Sequence, residues 1–342
     1  MGKYHPRRGL SAFLIALAAV LALVAPMYPP TSAAEPADPL AAAAGVEPAV
    51  VRIDTIVEYQ NAIGVGTGVV LDPAGEVLTN FHVVQGADRI DATVAGRSFG
   101  ADLVGYDRRH DIAVLQLRGA GGLPTAPFGD SGQLAIGDPV VALGNARGSG
   151  GPLTREVGAV TDFGRTVNAE DALTGSSDEL TGLIEFEAPV RAGDSGGPVV
   201  NAAGQVVGIT TAATVNFRLG PGGEGFAIPI NQAMAVANQI RSGVPSDSVH
   251  IGPPTLLGVG VSTAPRDVPG VIVREALRGG PAEQAGLVGG EVITTLDGTP
   301  LDSATTLTYV LDRHYPGDVV DLTWIDVTGQ ERTGKATLAA GP

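Results

Sequence analysis

Short apolar runs separated by turn residues dominate the chain from residue 48 to about residue 230. Gly and Pro supply 49 and 25 of the 342 residues, and they recur between these runs in the manner of tight turns. Many short runs, rather than long segments of helical period, predict a mainly β fold such as a barrel or sandwich. Representative predicted strands cover residues 49–57, 66–71, 112–117, 139–143 and 205–211.

The pattern changes after residue 243. A helix predicted over residues 230–240 closes the β-rich region, which we assign to residues 47–243. Residues 244–254 are rich in Ser, Pro and Gly and are typical of a linker. Residues 255–340 then mix strands with two helices and predict a separate α+β module. In this module we expect strands at 256–261, 270–273, 319–325 and 332–338, and helices at 281–286 and 303–313.

The first 34 residues have the features of a targeting segment. Basic residues precede an uncharged apolar run from residue 10 to residue 25, which is shorter than the ~20 residues of a membrane span. Small side chains at Ser32 and Ala34 suit signal peptidase, so we predict a signal peptide over residues 1–34 and a secreted or cell-envelope location. The alternative is an uncleaved membrane anchor. Residues 35–46, rich in Ala and Pro, are predicted to be flexible.

Charge and cysteine content exclude several functions. The chain has 36 acidic and 21 basic side chains, a formal charge of −15, which argues against nucleic-acid binding. It has no Cys, so disulfides, thiolate metal sites and a Cys nucleophile are excluded. The His and carboxylate residues show no metal-ligand spacing, and we expect neither a metal nor a cofactor.

The strongest chemical motif is Gly-Asp-Ser-Gly-Gly-Pro at residues 193–198. A nucleophilic Ser needs backbone amides that can stabilise an oxyanion, and small residues around Ser195 leave room for a substrate carbonyl. The amides of Gly193 and Ser195 are the candidates for that role. A second Gly-Asp-Ser-Gly, at residues 129–132, lacks the following Gly-Pro and is interpreted as a surface turn.

His82 is the candidate general base among five His residues. It lies at the end of a predicted apolar strand over residues 77–84, where a structural core His is the alternative. The orienting acid is expected between His82 and Ser195. Asp111 opens a predicted apolar strand, and a buried carboxylate there needs a partner such as an imidazole. Asp107 is the rival, interpreted as part of a solvated turn.

The order His82, Asp111, Ser195 is that of the chymotrypsin-type triad. Around these residues, the segments TNFHVV, DIAVLQL, GDSGGPVVN and GFAIP resemble the HtrA/DegP family of trypsin-like serine proteases. The segment from residue 279 to residue 301 resembles that family's PDZ domain, and the likeness is closest to secreted PepA-type proteases of mycobacteria. The resemblance implies a chymotrypsin-like double β-barrel followed by an α+β PDZ domain.

The resemblance also implies a peptide-binding groove. In PDZ domains the amides of a loop like Leu257, Gly258 and Val259 hold a C-terminal carboxylate, and the peptide adds as a strand. The bound peptide would pack against the helix at residues 303–313. The alternative for residues 257–259 is an ordinary buried strand.

Two departures from the family pattern affect the predictions. The residue before the nucleophile is Asp194, which in digestive relatives pairs with a newly cut N-terminus. The predicted N-terminus here, Glu35-Pro36-Ala37, is not of the required Ile-Val type, so Asp194 needs another partner or stays solvated. Family trimers use aromatic residues near the N-terminus, and residues 35–52 contain none, which leaves the homo-oligomeric state open.

The sequence therefore predicts a secreted serine endopeptidase that hydrolyses unfolded or damaged proteins and binds C-terminal or extended peptides through PDZ. The alternative is a non-proteolytic exported chaperone or peptide-binding protein. The approach to the nucleophile, residues 187–191, has no acid where a basic P1 side chain would need one, so we expect a shallow apolar specificity pocket near Val190 and residues 210–212 that prefers small aliphatic P1 side chains.

Overall fold

The computed structural model describes residues 38–58, 61–145, 148, 151–170, 177–211, 223–264 and 268–342. The predicted signal peptide over residues 1–34 lies outside this part of the chain. Among the described residues, none of the helices is long and apolar enough to cross a membrane.

The segment before the first strand differs from the predicted flexible stretch over residues 35–46. Residues Pro39–Ala44 form helix α1, with Pro at its first position and the Asp38 side chain accepting the Leu40 amide at 3.0 Å. Ala43 and Val46 are fully buried in the large apolar core. Capping and burial of small apolar side chains together order this segment.

The first barrel contains six antiparallel strands in the order β5-β4-β1-β2-β3-β6, closed by pairing of β5 with β6. Val, Ile and Leu side chains fill its interior. The turn between β2 and β3 contains Gly75, which has a φ of +103° that favours glycine. The strands are β1 Val50–Val57, β2 Ala62–Asp72, β3 Glu76–Thr79, β4 Arg89–Val94, β5 Arg97–Asp107 and β6 Ile112–Leu117. Helix α2, Phe81–Val84, follows β3.

The second barrel is closed in the order β10-β11-β12-β9-β8-β7. Its strands are β7 Pro139–Gly144, β8 Thr154–Glu170, β9 Ser177–Glu187, β10 Pro198–Asn201, β11 Val206–Thr210 and β12 Glu224–Pro229. Helix α3, Ile230–Arg241, confirms the predicted helix, and its buried face packs against the apolar core.

The predicted linker over residues 244–254 is partly a strand. Strand β13, Val249–Ile251, pairs with β5 and so extends the first barrel's sheet. His250, at the centre of this strand, is 1% exposed. The apolar surroundings of β5 and α3 order this segment although its composition is typical of a flexible connection.

The third unit is a sheet in the order β15-β16-β17-β19-β20, with two helices and a separate pair of β14 with β21. Gly258, with a φ of +76°, interrupts the strand predicted over residues 256–261. The strands are β14 Thr255–Leu256, β15 Val259–Thr263, β16 Val271–Ala276, β17 Val292–Leu296, β18 Thr299–Pro300, β19 Val319–Ile325, β20 Glu331–Thr337 and β21 Ala339–Ala340. The helices are α4 Pro281–Gln284 and α5 Ala304–Leu311. The mainly β architecture of two barrels and an α+β unit confirms the predicted fold class.

Candidate active site

His82 lies on the single turn of helix α2, not at the end of the predicted strand over residues 77–84. The chain leaves strand β3 at Asn80, whose backbone is still extended, and then turns at Phe81. The Asn80 side chain donates to the Asp111 backbone carbonyl at 2.9 Å, and the Phe81 amide donates to the same carbonyl at 3.3 Å. These bonds to residue 111 explain why the apolar run bends where it does.

Asp111 stands directly before strand β6, with a φ of +53° that a non-glycine residue rarely adopts. Its carboxylate faces His82 through two hydrogen bonds. Oδ2 lies 2.7 Å from His82 Nδ1, and Oδ1 accepts the His82 backbone amide at 2.9 Å. The side chain is nearly fully buried, whereas His82 remains about one-third exposed (36%). The structure thus brings together the predicted base and acid, with the base accessible to a substrate.

Thr211 is part of the same cluster. Its hydroxyl donates to Asp111 Oδ2 at 3.1 Å, from a position immediately after strand β11 in the second barrel. The prediction placed residues 210–212 in the specificity pocket, but the Thr211 side chain is directed to Asp111 instead. Sequence reasoning missed this role, although a buried hydroxyl after an apolar strand was a usable signal.

Asp107, the rival acid, is not in a solvated turn. It is 1% exposed and accepts hydrogen bonds from His110 Nδ1 at 2.7 Å and from the Ser248 hydroxyl at 2.9 Å. The hydrogen bond to Asp107 raises the pKa of His110 above its ordinary value, against a smaller opposing effect of burial. The prediction failed because Ser248 and His110 supply the partners that allow burial, and Ser248 is remote in sequence.

The nucleophile loop begins with a turn over residues 191–194, closed by the Asp194 amide donating to the Arg191 carbonyl at 3.0 Å. Gly193, the third residue of this turn, has a φ of +96°, as in a type II turn. In a type I turn, Gly193 would have a negative φ, and the peptide group between residues 192 and 193 would be rotated relative to its orientation here. Within the described residues, the Gly193 amide donates to no backbone carbonyl. Ser195 follows and is 4% exposed.

The carboxylate of Asp194 has hydrogen-bond partners other than a chain terminus. The residue is 1% exposed, and its carboxylate accepts the Thr154 hydroxyl at 2.5 Å and the Arg191 amide at 2.9 Å. Thr154 is the first residue of strand β8, so this bond joins the nucleophile loop to the wall of the second barrel. Gly144 permits the approach, since a Cβ there would lie 2.2 Å from Asp194 Oδ1.

Of the predicted specificity pocket, Val190 and Thr210 are buried beside the nucleophile loop, and Ala212 lies outside the described residues. The Thr210 amide donates to the Gly197 carbonyl, and its carbonyl accepts the Gly196 amide, both at 2.8 Å. The Thr210 backbone therefore helps to hold the loop that follows Ser195.

The predicted peptide-binding residues 257–259 line a cavity of about 430 Å³ together with helix α5. Leu257 points into the core of the third unit, and the carbonyls of Leu257 and Gly258 accept the amides of Ala282 and Leu277. Among the described residues, the amides of Leu257 and Gly258 donate to no backbone carbonyl. Val259 opens β15, which is an edge strand of its sheet.

The same cavity is bounded on its other side by the first barrel. Phe81, Gln85 and Arg108 line it, so its wall includes helix α2, which carries His82. Arg108 lies over the Phe81 ring, 4.8 Å from its centroid, and Phe81 stacks on Tyr106 at 4.1 Å. The predicted peptide groove therefore borders the short helix α2, which also carries the predicted base His82.

Comparison with known proteins matches both parts of this architecture. Residues 66–209 match the family model of the trypsin-like peptidase domain, and residues 255–325 match that of the PDZ domain. The putative serine protease HhoA of Synechocystis sp. is 35% identical over 73% of this chain and 64% of its own length. The serine protease PepD of Mycobacterium tuberculosis is 33% identical over 86% of this chain and 65% of its own.

The periplasmic pH-dependent serine endoprotease DegQ of Escherichia coli is 34% identical over 76% of this chain and 56% of its own length. The chain thus spans less than two thirds of the length of these relatives. A solved structure of the HtrA-type protease AlgW with a decapeptide superposes with a TM-score of 0.50, at 26% identity, over 89% of this chain and 99% of that one. This chain thus contains a trypsin-like peptidase domain followed by a PDZ domain, and it is similar to serine proteases of the HtrA/DegP type.

Proposed function

We propose that this chain is an exported serine endoprotease with Ser195 as nucleophile, His82 as general base and Asp111 as orienting acid. The observation that supports this most directly is the pairing of His82 and Asp111. A 2.7 Å bond from Nδ1 and a second bond to the His82 amide fix both the ring and its tautomer. With Nδ1–H donated to Asp111, the proton-accepting nitrogen of neutral His82 is Nε2.

In the proposed reaction, His82 Nε2 takes the Ser195 Oγ proton as Oγ attacks the scissile carbonyl carbon. The imidazolium then gives that proton to the leaving amine, and the acyl-enzyme forms. Asp111 stays ionised and stabilises the imidazolium, while Thr211 supports its carboxylate through a 3.1 Å hydrogen bond. His82 then takes a proton from a water molecule, which attacks the acyl-enzyme. The proton passes to Ser195 Oγ as the acyl group leaves.

The amides of Gly193 and Ser195 would bind the oxyanion that develops on the scissile carbonyl. A positive φ at Gly193, and the lack of a backbone acceptor for its amide among the described residues, support this role. Donors fixed before the reaction stabilise the transition state without reorganisation, and each such donor typically contributes about 10²–10³-fold in kcat. Val190 and Thr210 would bound an apolar pocket for small aliphatic P1 side chains.

The PDZ domain would bind C-terminal or extended peptides along β15. The edge position of this strand, the amides of Leu257 and Gly258, and the cavity beside α5 support a peptide partner. A peptide in this groove would lie beside Gln85 and Phe81. The AlgW structure contains a decapeptide, which agrees with peptides as the ligand class.

Export, substrate class and closest relatives are also proposals. The sequence features of residues 1–34 and the periplasmic relatives, such as DegQ, support action outside the cytoplasm. Unfolded or damaged proteins are the proposed substrates. A particular closeness to mycobacterial PepA-type proteases stays a prediction, and the match to mycobacterial PepD agrees with it only in general terms.

Labelling by a fluorophosphonate tests the catalytic assignment. We expect the wild-type chain to be labelled and to cleave unfolded casein, and Ser195→Ala to do neither. Ser131→Ala is the matched control, because Ser131 lies in the other Gly-Asp-Ser-Gly segment and its loss should leave labelling unchanged. Absence of labelling in the wild type, with and without C-terminal peptides, would favour the non-proteolytic peptide-binding protein.

A further inference from the structure

Thr67 joins the two barrels at the nucleophile loop. It lies in strand β2 of the first barrel and is fully buried. Its hydroxyl donates to the Gly193 carbonyl at 2.6 Å, and its backbone amide donates to the Ser195 carbonyl at 2.8 Å. One residue of the first barrel thus holds both carbonyls that flank Asp194 in the second.

These two bonds restrain the backbone next to the proposed oxyanion donors. Thr67 holds the carbonyls of the same two residues whose amides are the proposed donors, so the Ser195 amide lies between the two bonds and the Gly193 amide directly precedes the first. The Asn145 amide also approaches, at 2.9 Å from the Thr67 hydroxyl and 3.3 Å from the Gly193 carbonyl. Without the hydroxyl, the Gly193 carbonyl would keep only this longer contact.

Thr67 also contacts strand β3, which leads to His82. The Thr79 hydroxyl donates to the Thr67 carbonyl at 2.6 Å, from the last residue of β3, three positions before His82. The contact with the nucleophile loop is close, because a Cβ on Gly196 would lie 2.0 Å from the Thr67 carbonyl oxygen. The end of the strand that precedes His82 and the nucleophile loop therefore both contact Thr67.

We propose that Thr67 is a positioning residue for the proposed hydrolysis, and that its hydroxyl sets the orientation of the Gly193–Ser195 backbone for oxyanion binding. This inference rests on the proposed function. It gives a role to the only hydroxyl in the glycine-rich segment of residues 64–68, whose spacing does not suit a nucleotide-binding loop.

The test compares Thr67→Val, which keeps the shape and removes the hydroxyl, with Thr67→Ser, which keeps the hydroxyl. We expect Thr67→Val to lower kcat on unfolded casein, and the rate of fluorophosphonate labelling, by about tenfold to 100-fold, because small displacements of catalytic groups cost this much. KM should change by less than about threefold, since ground-state binding is untouched. Thr67→Ser should recover most of the rate.

Thr55→Val is the matched control, because Thr55 is a buried Thr of the same barrel that pairs with Gly64 and Ile90. It should show a comparable change in melting temperature without the loss in kcat. If the Thr67→Val chain does not fold, Thr67→Cys replaces it, since a thiol has a similar volume and is only a weak donor.

Equal labelling of wild type and Thr67→Val would overturn the inference and leave the proposed function intact. A Thr67→Ser chain as slow as Thr67→Val, or an equal loss in Thr55→Val, would also overturn it, because packing would then account for the effect. A wild-type chain that neither labels nor cleaves would contradict the proposed function, and this inference with it.

Discussion

The carboxylate of Asp312, at the end of the PDZ helix α5, binds the guanidinium of Arg108 in the peptidase domain. Oδ2 lies 2.7 Å from Arg108 Nε, and Oδ1 accepts the Tyr106 hydroxyl at 2.7 Å. Burial alone would disfavour the charged guanidinium, but the Asp312 carboxylate outweighs it and the net effect raises the pKa of Arg108. The two domains are therefore joined by a buried ion pair.

Removing one partner of this pair should destabilise the chain. We expect Asp312→Asn to lower the free energy of unfolding by about 3 kcal/mol, because it removes the carboxylate that is hydrogen-bonded to the buried Arg108 charge. Chemical denaturation, monitored by Trp324 fluorescence, would measure this free energy of unfolding. Asp102→Asn is the control, since the Arg118–Asp102 pair is exposed and its loss should cost less than about 1 kcal/mol. Equal effects of the two substitutions would contradict the prediction.

Thr154→Val should impair catalysis through Asp194. The substitution removes a hydroxyl donor from a carboxylate that is almost completely buried, a change that typically costs about 1–3 kcal/mol. Because the same carboxylate holds the Arg191 amide, we expect the turn over residues 191–194 to loosen. Casein cleavage should fall several-fold, with Thr154→Ser close to wild type. An unchanged rate in Thr154→Val would show that Asp194 is held adequately by its remaining contacts.

Gly196→Ala should abolish labelling of Ser195. A Cβ at this position would lie 2.0 Å from the Thr67 carbonyl oxygen, at a φ of +84° that already disfavours a side chain. Gly119→Ala is the matched control, because Gly119 has a similar φ of +68° and no atom within 4 Å of the added Cβ. The control isolates the backbone strain, expected at about 1–2 kcal/mol. A labelled, stable Gly196→Ala chain would require a loop different from the one described.

His110 should give the peptidase domain a pH-dependent contribution to stability. Its pKa is raised by Asp107, so the extra stabilisation is fully present below the ordinary value of about 6.5 and is lost as the pH rises through the folded-state pKa. The destabilisation caused by His110→Gln should therefore be larger at pH 5 than at pH 9. A difference independent of pH would contradict this sign, and titration of the His110 ring by NMR would measure the pKa directly.

His82, Asp111 and Ser195 could be proposed from the sequence because His82 and Asp111 are polar residues beside apolar runs, Ser195 lies in a Gly-Asp-Ser-Gly-Gly-Pro motif, and their order is typical of one fold; the structure places His82 beside Asp111. The sequence was not sufficient for Thr211, Thr67 or Thr154. Each of these hydroxyls acts on a residue 40 or more positions away, and local patterning can at most mark such a hydroxyl as buried without identifying its partner.

The incorrect expectations for Asp107 and for the segment around His250 have related causes. Asp107 and His250 lie in segments whose composition is polar and turn-like, yet both are buried. Their burial depends on partners from other elements, such as Ser248 for Asp107 and the Asp312 carbonyl for His250 Nδ1. Fold class and strand positions follow from periodicity, whereas burial of single polar residues follows from tertiary contacts that periodicity does not record.

The buried Arg108–Asp312 pair also restricts how this architecture can change. A PDZ domain exchanged for one from another protein could keep its peptide groove and still lack an acid at the position of Asp312. Arg108 would then lack its hydrogen-bonded partner inside the peptidase domain, beside the Phe81 and Tyr106 rings. Compatibility between the two domains thus includes the charge at this contact, and recombination of such domains in evolution would have to keep both members of the pair or replace both.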